Sequence, residues 1–147
     1  MLNGGAGDDV NSGAGNDIIQ GGPRTDVLFG GTELISLNLN LGTDGLETVW
    51  GSFVGDVMDG SSSSSNLNMV GKGLTGGANA DTMLGGSGDD FIYYRTGDVI
   101  NGGGGNDWAV ATLSATGVTL NMAATGFENA WGSTCRAREP RIFRPLP

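Results

Sequence analysis

Aspartates that close glycine-rich turns are the residues of this chain whose type and spacing could do chemistry. Residues 85–90 (GGSGDD) and 102–107 (GGGGND) both read Gly-Gly-x-Gly-x-Asp and precede a short apolar run. A Gly-Gly-x-Gly backbone turns tightly and can direct several carbonyl oxygens at one point. Asp90 and Asp107 each add a charged oxygen there. Calcium prefers about six to eight such oxygens, at roughly 2.3–2.6 Å, so the two motifs predict calcium ligation.

The runs after the two motifs are the elements that must hold the turns in place. In residues 91–93 and 108–110, side chains alternate between the two faces of a strand, so the middle residues, Ile92 and Ala109, are expected to point inward. A chain that repeats turn and strand in this way winds into a flattened parallel coil. We therefore expect an all-β fold.

This nine-residue pattern resembles the RTX repeat, the haemolysin-type calcium-binding nonapeptide. The resemblance implies a parallel β-roll, a β-helix-like solenoid with calcium-binding glycine-rich turns and two nonapeptides in each coil turn. Motifs on one side of the roll then stack on their second neighbours, with one ion between two stacked turns. The resemblance thereby pairs Asp90 with Asp107, and Asp81 with Asp98.

Weaker copies of the motif extend the resemblance over most of residues 2–133. Residues 4–9 (GGAGDD) are a complete motif, whereas residues 21–26 (GGPRTD) carry Arg24 at the third glycine position, where a left-handed backbone would be strained. Aspartate also caps turns without metal, but that role does not explain its fixed offset from three glycines. The candidate calcium ligands are Asp90, Asp107, Asp81, Asp98, Asp9, Asp26 and Asp17, together with Gly85, Gly86, Gly88, Gly102, Gly103, Gly105, Gly4, Gly5 and Gly7.

A second repeat, called the long repeat below, has a period equal to nine nonapeptides. Residues 4–52 align with residues 85–133 without a gap and with 17 identities in 49 positions. Because the period is a whole number of nonapeptides, we infer an internal duplication with two related copies. The expected organisation is a first nonapeptide block with connector strands (1–52), degenerate serine-rich repeats (53–75), a second block with connector strands (76–133) and an unrelated basic tail (134–147).

The connector of the first copy is predicted to continue the strands. Residues 34–41 (LISLNLNL) alternate apolar and polar residues, which favours a strand with Leu37, Leu39 and Leu41 on one face. Residues 42–50 then have the composition of a turn followed by a further short strand. We therefore expect the connectors to join the same coil.

Composition narrows the class of protein. Glycine accounts for 29 of 147 residues without the every-third-residue period of collagen, so the glycines mark turns. Residues 1–135 carry 15 acidic and three basic residues, a balance of −12, which disfavours nucleic acids and anionic membranes and favours cations. The chain lacks an apolar run of about 18 residues, the length that marks a candidate membrane-spanning helix. No secretory signal precedes the first motif, so neither membrane insertion nor a cleaved leader is expected.

These features predict a calcium-binding segment of a larger secreted protein that folds when it binds calcium outside the cell. In the family that the chain resembles, this ordering accompanies type I secretion. No enzyme activity is expected, because the chain has no histidine to ligate zinc or to activate its one cysteine. Unpaired strand edges at the coil ends predict end-to-end self-association.

Two other interpretations stay open at this point. The first is an adhesion or carbohydrate-binding module that displays Trp50, Trp108 and Trp131 on the roll, although packing in the core or at the coil edge is the favoured role of these rings. The second is a solenoid without metal, stacked only through its strands. Exposure of the tryptophans tests the first, and folding in the presence of a chelator tests the second.

Overall fold

Short strands form nearly all of the regular structure. The computed structural model describes residues 1–12, 18–31, 34–72, 79–111, 119–132 and 136–137; Asp17 and most of the basic tail lie outside these ranges. Two one-turn helices, α1 (Leu41–Asp44) and α2 (Met122–Thr125), interrupt the strands. The strands are β1 (Leu2–Asn3), β2 (Val10–Ser12), β3 (Ile19–Gln20), β4 (Val27–Phe29), β5 (Asn38–Asn40), β6 (Thr48–Trp50), β7 (Val57–Asp59), β8 (Asn68–Val70), β9 (Thr82–Leu84), β10 (Phe91–Tyr94), β11 (Val99–Asn101), β12 (Trp108–Ala111), β13 (Thr119–Leu120), β14 (Asn129–Trp131) and β15 (Arg136–Ala137).

Strands that are second neighbours in the chain pair with one another, in parallel. Seven of them form one sheet in the order β2-β4-β6-β8-β10-β12-β14. The strands between them form the ladder β5-β7-β9-β11 and the pairs β1-β3 and β13-β15. The chain therefore winds as a solenoid of about six turns, which confirms the predicted all-β parallel roll.

The length of a coil turn differs between the motif blocks and the connectors. Asp90 and Asp107, in stacked turns of the second block, are 17 residues apart. This is one fewer than two full nonapeptides, because one nonapeptide of the block is a residue short. The spacing grows to 21 residues from Asp26 to Glu47 and to 23 residues from Leu67 to Asp90. The strands on either side of these longer spans nevertheless stay in register.

One apolar core fills the roll. The middle residue of each three-residue strand from β4 to β9, and of β11, is buried, and so is the second residue of β10 and of β12. These residues of successive turns lie side by side in the sheets. The predicted inward orientation of Ile92 and Ala109 is confirmed, since both are fully buried. In the seven-stranded sheet the buried apolar side chains at this register are Leu28, Val49, Met69, Ile92 and Ala109, with the polar Asn11 at one end and the partly buried Ala130 at the other; Leu39, Met58, Met83 and Ile100 stack in the four-stranded ladder.

The connector of the first copy differs from its prediction. The strand expected over residues 34–41 is reduced to β5, and most of the expected turn is the helix α1. Leu37 lies just before β5, and its N–H donates to Oδ1 of Asp56 (2.8 Å) where a strand residue would donate to a backbone carbonyl. Asn40 caps the start of α1 with its side chain, and Gly45 ends the helix in the left-handed conformation. The three leucines predicted to share a face are nevertheless all buried.

The two copies of the long repeat contain equivalent helices and strands. Helix α2 occupies the positions that the long repeat equates with α1, and β14 occupies those equated with β6. Both helices end at a glycine in the left-handed conformation, Gly45 in the first copy and Gly126 in the second. Where both connectors are described, from β5 and β13 onward, they therefore contain equivalent elements, although many of their residues differ.

Candidate metal centre

Hydrogen bonds join the carboxylates of stacked turns in the second block into a ladder. The Asp90 N–H donates to Oδ1 of Asp107 (2.8 Å), and the Asp107 N–H donates to Oε2 of Glu128 (2.8 Å). On the other side of Asp90, its Oδ1 accepts the Leu67 N–H at 2.7 Å. Asp90 and Asp107 are both fully buried. Asp90 and Asp107, the predicted pair, thus lie in stacked turns. The carboxylate of each accepts a backbone N–H from the turn that precedes it in the chain.

The first block repeats this arrangement at the positions that the long repeat equates. The Asp9 N–H donates to Oδ1 of Asp26 (2.8 Å), and the Asp26 N–H donates to Oε2 of Glu47 (2.9 Å). Arg24 has a φ of 103°, which lies in the strained left-handed region that its position in the motif predicted. The distorted turn still keeps Asp26 in the ladder, fully buried.

A second ladder runs along the other set of turns. The Asp81 N–H donates to Oδ1 of Asp98 (2.9 Å), so the second predicted pair is also brought together. The Asp56 N–H donates to Oδ1 of Asp81 (2.9 Å), and Oδ1 of Asp56 accepts the Leu37 N–H. Asp56 and Asp81 each expose 1% of their surface. Three buried or half-buried carboxylates therefore stand in consecutive turns of this ladder.

Three acids of the ladders, Asp56, Glu47 and Glu128, were not among the candidates from the sequence. Asp56 follows a glycine and precedes an apolar strand, which is the end of the motif without its beginning. The two glutamates occupy equivalent positions in the two copies of the long repeat, each just before a three-residue strand. This recurrence could have identified them as candidates. Asp17 lies outside the described residues, so its predicted place in a ladder stays a prediction.

The first glycine of each motif leaves the space that the aspartate side chain fills. A Cβ on Gly102 would lie 2.7 Å from Oδ2 of Asp107, and one on Gly85 would meet the carbonyl oxygen of Gly102. Gly4 is placed in the same way against the aspartate that ends its own turn. Any side chain at these positions would displace the carboxylate from the ladder.

The second and third glycines of the second block also lie where stacked turns approach each other closely. Gly103 and Gly105 have φ values of 97° and 131°, in the region that favours glycine. Gly86 and Gly88 are required by space instead, because a Cβ at either would collide with a carbonyl oxygen of the serine run in the turn below. Backbone carbonyls are therefore held next to the carboxylate ladder. The matching glycines of the first block are Gly5 and Gly7.

Four carboxylate oxygens of the ladders are buried without a hydrogen-bond partner: Oδ2 of Asp9, Asp26, Asp81 and Asp107. A buried, unpaired carboxylate oxygen costs free energy, so these atoms fit a bound cation. In the described ranges, no three His, Cys, Asp or Glu side chains converge. An ion there would take its remaining ligands from turn carbonyls, and such a donor set of hard oxygens suits calcium.

Burial disfavours the charged form of three ladder acids when no cation is present. Desolvation raises the pKa of Asp81 to about 7, and the neighbouring charges of Asp98 and Asp56 act in the same direction. Burial also raises the pKa of Asp90 and the pKa of Asp107. Hydrogen bonds from backbone N–H groups to these two carboxylates act in the opposite direction but are the smaller effect. Near neutral pH Asp81 in the metal-free roll is therefore partly protonated, and a bound cation would displace that proton.

The metal-free chain is expected to have more β structure at pH 5 than at pH 7.5. The folded-state pKa of Asp81 is about 7, against 3.8 for an unperturbed Asp, so the folded chain binds more protons between these values. Protonation of Asp81 stabilises the folded chain fully below pH 3.8, and this stabilisation is lost as the pH rises through 7. Far-ultraviolet circular dichroism in a chelator measures the change. Asp81→Asn should raise the β signal at pH 7.5, with the exposed Asp89→Asn as control; β structure that increases with pH would contradict the prediction.

Comparison with known proteins gives one result. A family model described as the RTX calcium-binding nonapeptide repeat matches the chain in four copies, at residues 11–32, 74–98 and 97–111. No match was found among the curated proteins or the solved structures. None of the helices in the described ranges is both long and apolar enough to cross a membrane. The matched segments contain the motifs that end at Asp26, Asp81, Asp90 and Asp107.

Proposed function

The chain carries the calcium-binding nonapeptide repeats of the RTX family in a parallel β-roll, and on this premise we propose that it is a segment of a larger secreted protein that folds on binding calcium outside the cell. The observation that carries the proposal is the set of buried carboxylate oxygens without a hydrogen-bond partner. They lie in stacked turns whose glycines bring carbonyl oxygens close by.

The ligands proposed from the sequence are supported by their place in the ladders. The pairs Asp90–Asp107 and Asp81–Asp98 would each hold one ion together with carbonyls of the glycine turns. Asp9 and Asp26 would form a third site of the same kind in the first block. We add Asp56, Glu47 and Glu128 as acids that extend these sites by one turn, because their carboxylates occupy the same ladder positions. A bound ion supplies the positive charge that the buried carboxylates need.

The same geometry couples binding to folding. Fifteen acids against three bases in residues 1–135 repel one another in the metal-free chain, and the thin core of short strands does little to offset the lost chain entropy. Ligands from two turns meet only in the folded roll, so binding free energy becomes folding free energy. One site at a hundred times its Kd adds about 2.7 kcal/mol. Extracellular calcium modules have a Kd of about 10⁻⁴–10⁻³ M, so folding would occur outside the cell.

A calcium titration followed by far-ultraviolet circular dichroism tests the proposal. Chelator-treated chain at pH 7.5 is expected to change from a disordered to a β spectrum at calcium concentrations of about 0.1–1 mM. Magnesium at the same concentrations serves as the control, because it demands octahedral geometry and keeps its waters. A β spectrum that the chelator leaves unchanged would show that the aspartates only form turns, and the solenoid without metal would replace the calcium proposal.

Secretion, organisation and assembly are further parts of the proposal. Calcium-dependent folding would keep the chain unfolded during export, which fits type I secretion. We also propose that the blocks 1–52 and 76–133 are duplicates separated by the degenerate segment 53–75, which the equal spacing of their elements supports. Open coil ends favour end-to-end association. Sedimentation of the calcium-loaded chain at several concentrations would detect it.

Tryptophan exposure favours the adhesion interpretation as a second candidate function. Trp50 exposes 39% of its surface and Trp131 exposes 71%. Of the two favoured roles, packing in the core does not apply to Trp50 and Trp131, because both stand at the end of a strand on its outward side; packing at the coil edge stays a prediction. Trp108 is half-buried and stacks on Phe91, with ring centroids 5.9 Å apart and parallel planes. Aromatic rings on an outer sheet face are suited to binding a ligand.

A further inference from the structure

An aromatic groove lies on the outer face of the seven-stranded sheet. Its volume is about 740 Å³, and its walls include Phe29 of β4, Trp50 of β6 and Tyr93 of β10. These strands stack in register, with Phe29 beside Trp50 and Val70 between Trp50 and Tyr93. Phe53, from the turn after β6, forms a further part of the wall. The groove therefore crosses four coil turns. No ladder acid lines it, but its residues Gly71 and Arg95 adjoin the second ladder, where the Arg95 N–H donates to Oδ2 of Asp98 (2.7 Å).

The aromatic rings of the groove are only partly covered by other side chains of the protein. Phe29 and Trp50 have centroids 5.9 Å apart and planes tilted by 37°. Each exposes more than a third of its surface, and Phe53 exposes 42%. Strands lie about 4.8 Å apart in a sheet, so Trp50 and Tyr93, two strands apart, are separated by about 10 Å. The groove is thus an extended surface, suited to a ligand made of several linked rings that each stack on an aromatic side chain.

Positive charge is concentrated at this groove in an otherwise acidic body. Residues 1–135 contain three basic residues, and two of them, Lys72 and Arg95, line the groove. Lys72 Nζ lies 5.5 Å from the centroid of the Trp50 ring. Nε of Arg95 is buried without a hydrogen-bond partner. The two positive charges complement an anionic ligand.

The backbone around the groove favours a saccharide over a peptide. An extended peptide binds a sheet by adding a strand at a free edge. The groove lies on the face of β4, β6, β8 and β10, whose backbone groups are paired with strands on both sides. A sugar needs no backbone pairing, because its C–H face stacks on aromatic rings while its hydroxyl and carboxyl groups meet polar side chains. Asn68, Lys72 and Arg95 supply those polar groups here.

We propose that the aromatic groove binds an acidic oligosaccharide, with sugar rings stacked on Trp50 and its neighbours and a carboxylate held by Lys72 and Arg95. This goes beyond calcium binding. It requires the folded roll but no ligand of the proposed calcium sites. The binding experiment is therefore done in saturating calcium on chain whose β spectrum has been verified, so a failure of the calcium proposal would be seen separately.

Isothermal titration calorimetry with two hexasaccharides tests the proposal. The acidic probe alternates glucuronic acid and N-acetylglucosamine, and the neutral probe consists of N-acetylglucosamine alone. Trp50→Ala is expected to weaken binding of the acidic probe by about tenfold or more, since the ring provides stacking and cation–π contact. The matched control is Trp131→Ala, which removes the equivalent tryptophan of the second copy, outside the groove. It should bind as the unaltered chain does.

Charge is tested by a second pair of variants. Lys72→Gln is expected to weaken binding of the acidic probe by about threefold or more and to reduce its advantage over the neutral one. Arg24→Gln makes the same charge change away from the groove and should leave binding unchanged. No binding of the acidic probe, equal binding of both probes, or equal losses in Trp50→Ala and Trp131→Ala would each overturn the proposal. Binding of an acidic peptide at the groove in place of the saccharide would also overturn it.

Discussion

Asp90→Asn is expected to raise the calcium concentration at the folding midpoint by about ten- to a hundredfold. Asp90 is fully buried, and both of its carboxylate oxygens accept backbone N–H groups, from Leu67 at 2.7 Å and from Gly86 at 2.8 Å. An amide has one accepting atom, so one of these donors would face an NH₂ group and lose its partner. Hydrogen bonds to a charged group are worth about 1.5–3 kcal/mol, and about 1.4 kcal/mol is a tenfold change.

The neighbouring acid provides a matched control for this variant. Asp89→Asn makes the same charge change one residue earlier, but Asp89 is exposed, and its Oδ1 accepts the N–H of Asn106 (2.9 Å) in an outer turn. Its midpoint should move by less than about twofold, because surface charges contribute little. The midpoint is read from calcium titrations of far-ultraviolet circular dichroism. Equal shifts in the two variants would mean that net charge, and not the ladder position, governs folding.

Gly85→Ala is expected to lower the free energy of unfolding in saturating calcium by about 3 kcal/mol, the upper part of the range for overpacking. The added Cβ would collide with the carbonyl oxygen of Gly102 and with Oδ2 of Asp90, and would lie 2.9 Å from the carbonyl carbon of Gly102. One neighbour is backbone of the stacked turn and the other is a ladder carboxylate, so relief of the clash must separate the turns or displace Asp90. Urea unfolding measures the change.

Gly104→Ala is the matched control for this substitution. A Cβ at Gly104 has nothing within 4 Å, and its φ is not in the left-handed region. This variable position of the motif should therefore accept alanine with a change below about 0.5 kcal/mol. If Gly104→Ala destabilised the roll as much as Gly85→Ala, glycine would be needed for chain flexibility throughout the turn. Close stacking of the turns would then not be the reason for the motif.

The sequence by itself determined the features that depend on a few consecutive residues. Glycines and an aspartate at fixed offsets specify a turn, and the three residues that follow specify a strand with its middle side chain inward, as Ile92 and Ala109 show. The pairs Asp90–Asp107 and Asp81–Asp98 could be predicted through the resemblance to the RTX repeat, which implies two nonapeptides in each coil turn. The strain at Arg24 followed from the same local rule.

Only the tertiary structure decided how the irregular segments stack. Stacked residues of the ladders are separated by 17 to 25 residues and follow no fixed period. The places of Leu37 and Leu67 in the ladders, where the chain has no carboxylate, could therefore not be read from spacing. The same applies to Asp56, which joins a ladder without a complete motif.

The aromatic groove depends on tertiary structure in the same way. Phe29, Trp50 and Tyr93 are far apart in the chain, and only parallel stacking aligns them along one face. Local sequence controls turns and strands, because a turn needs only its own glycines and a strand only its own alternation. Contacts between turns depend instead on the lengths of the loops that join them, and those lengths vary along the roll.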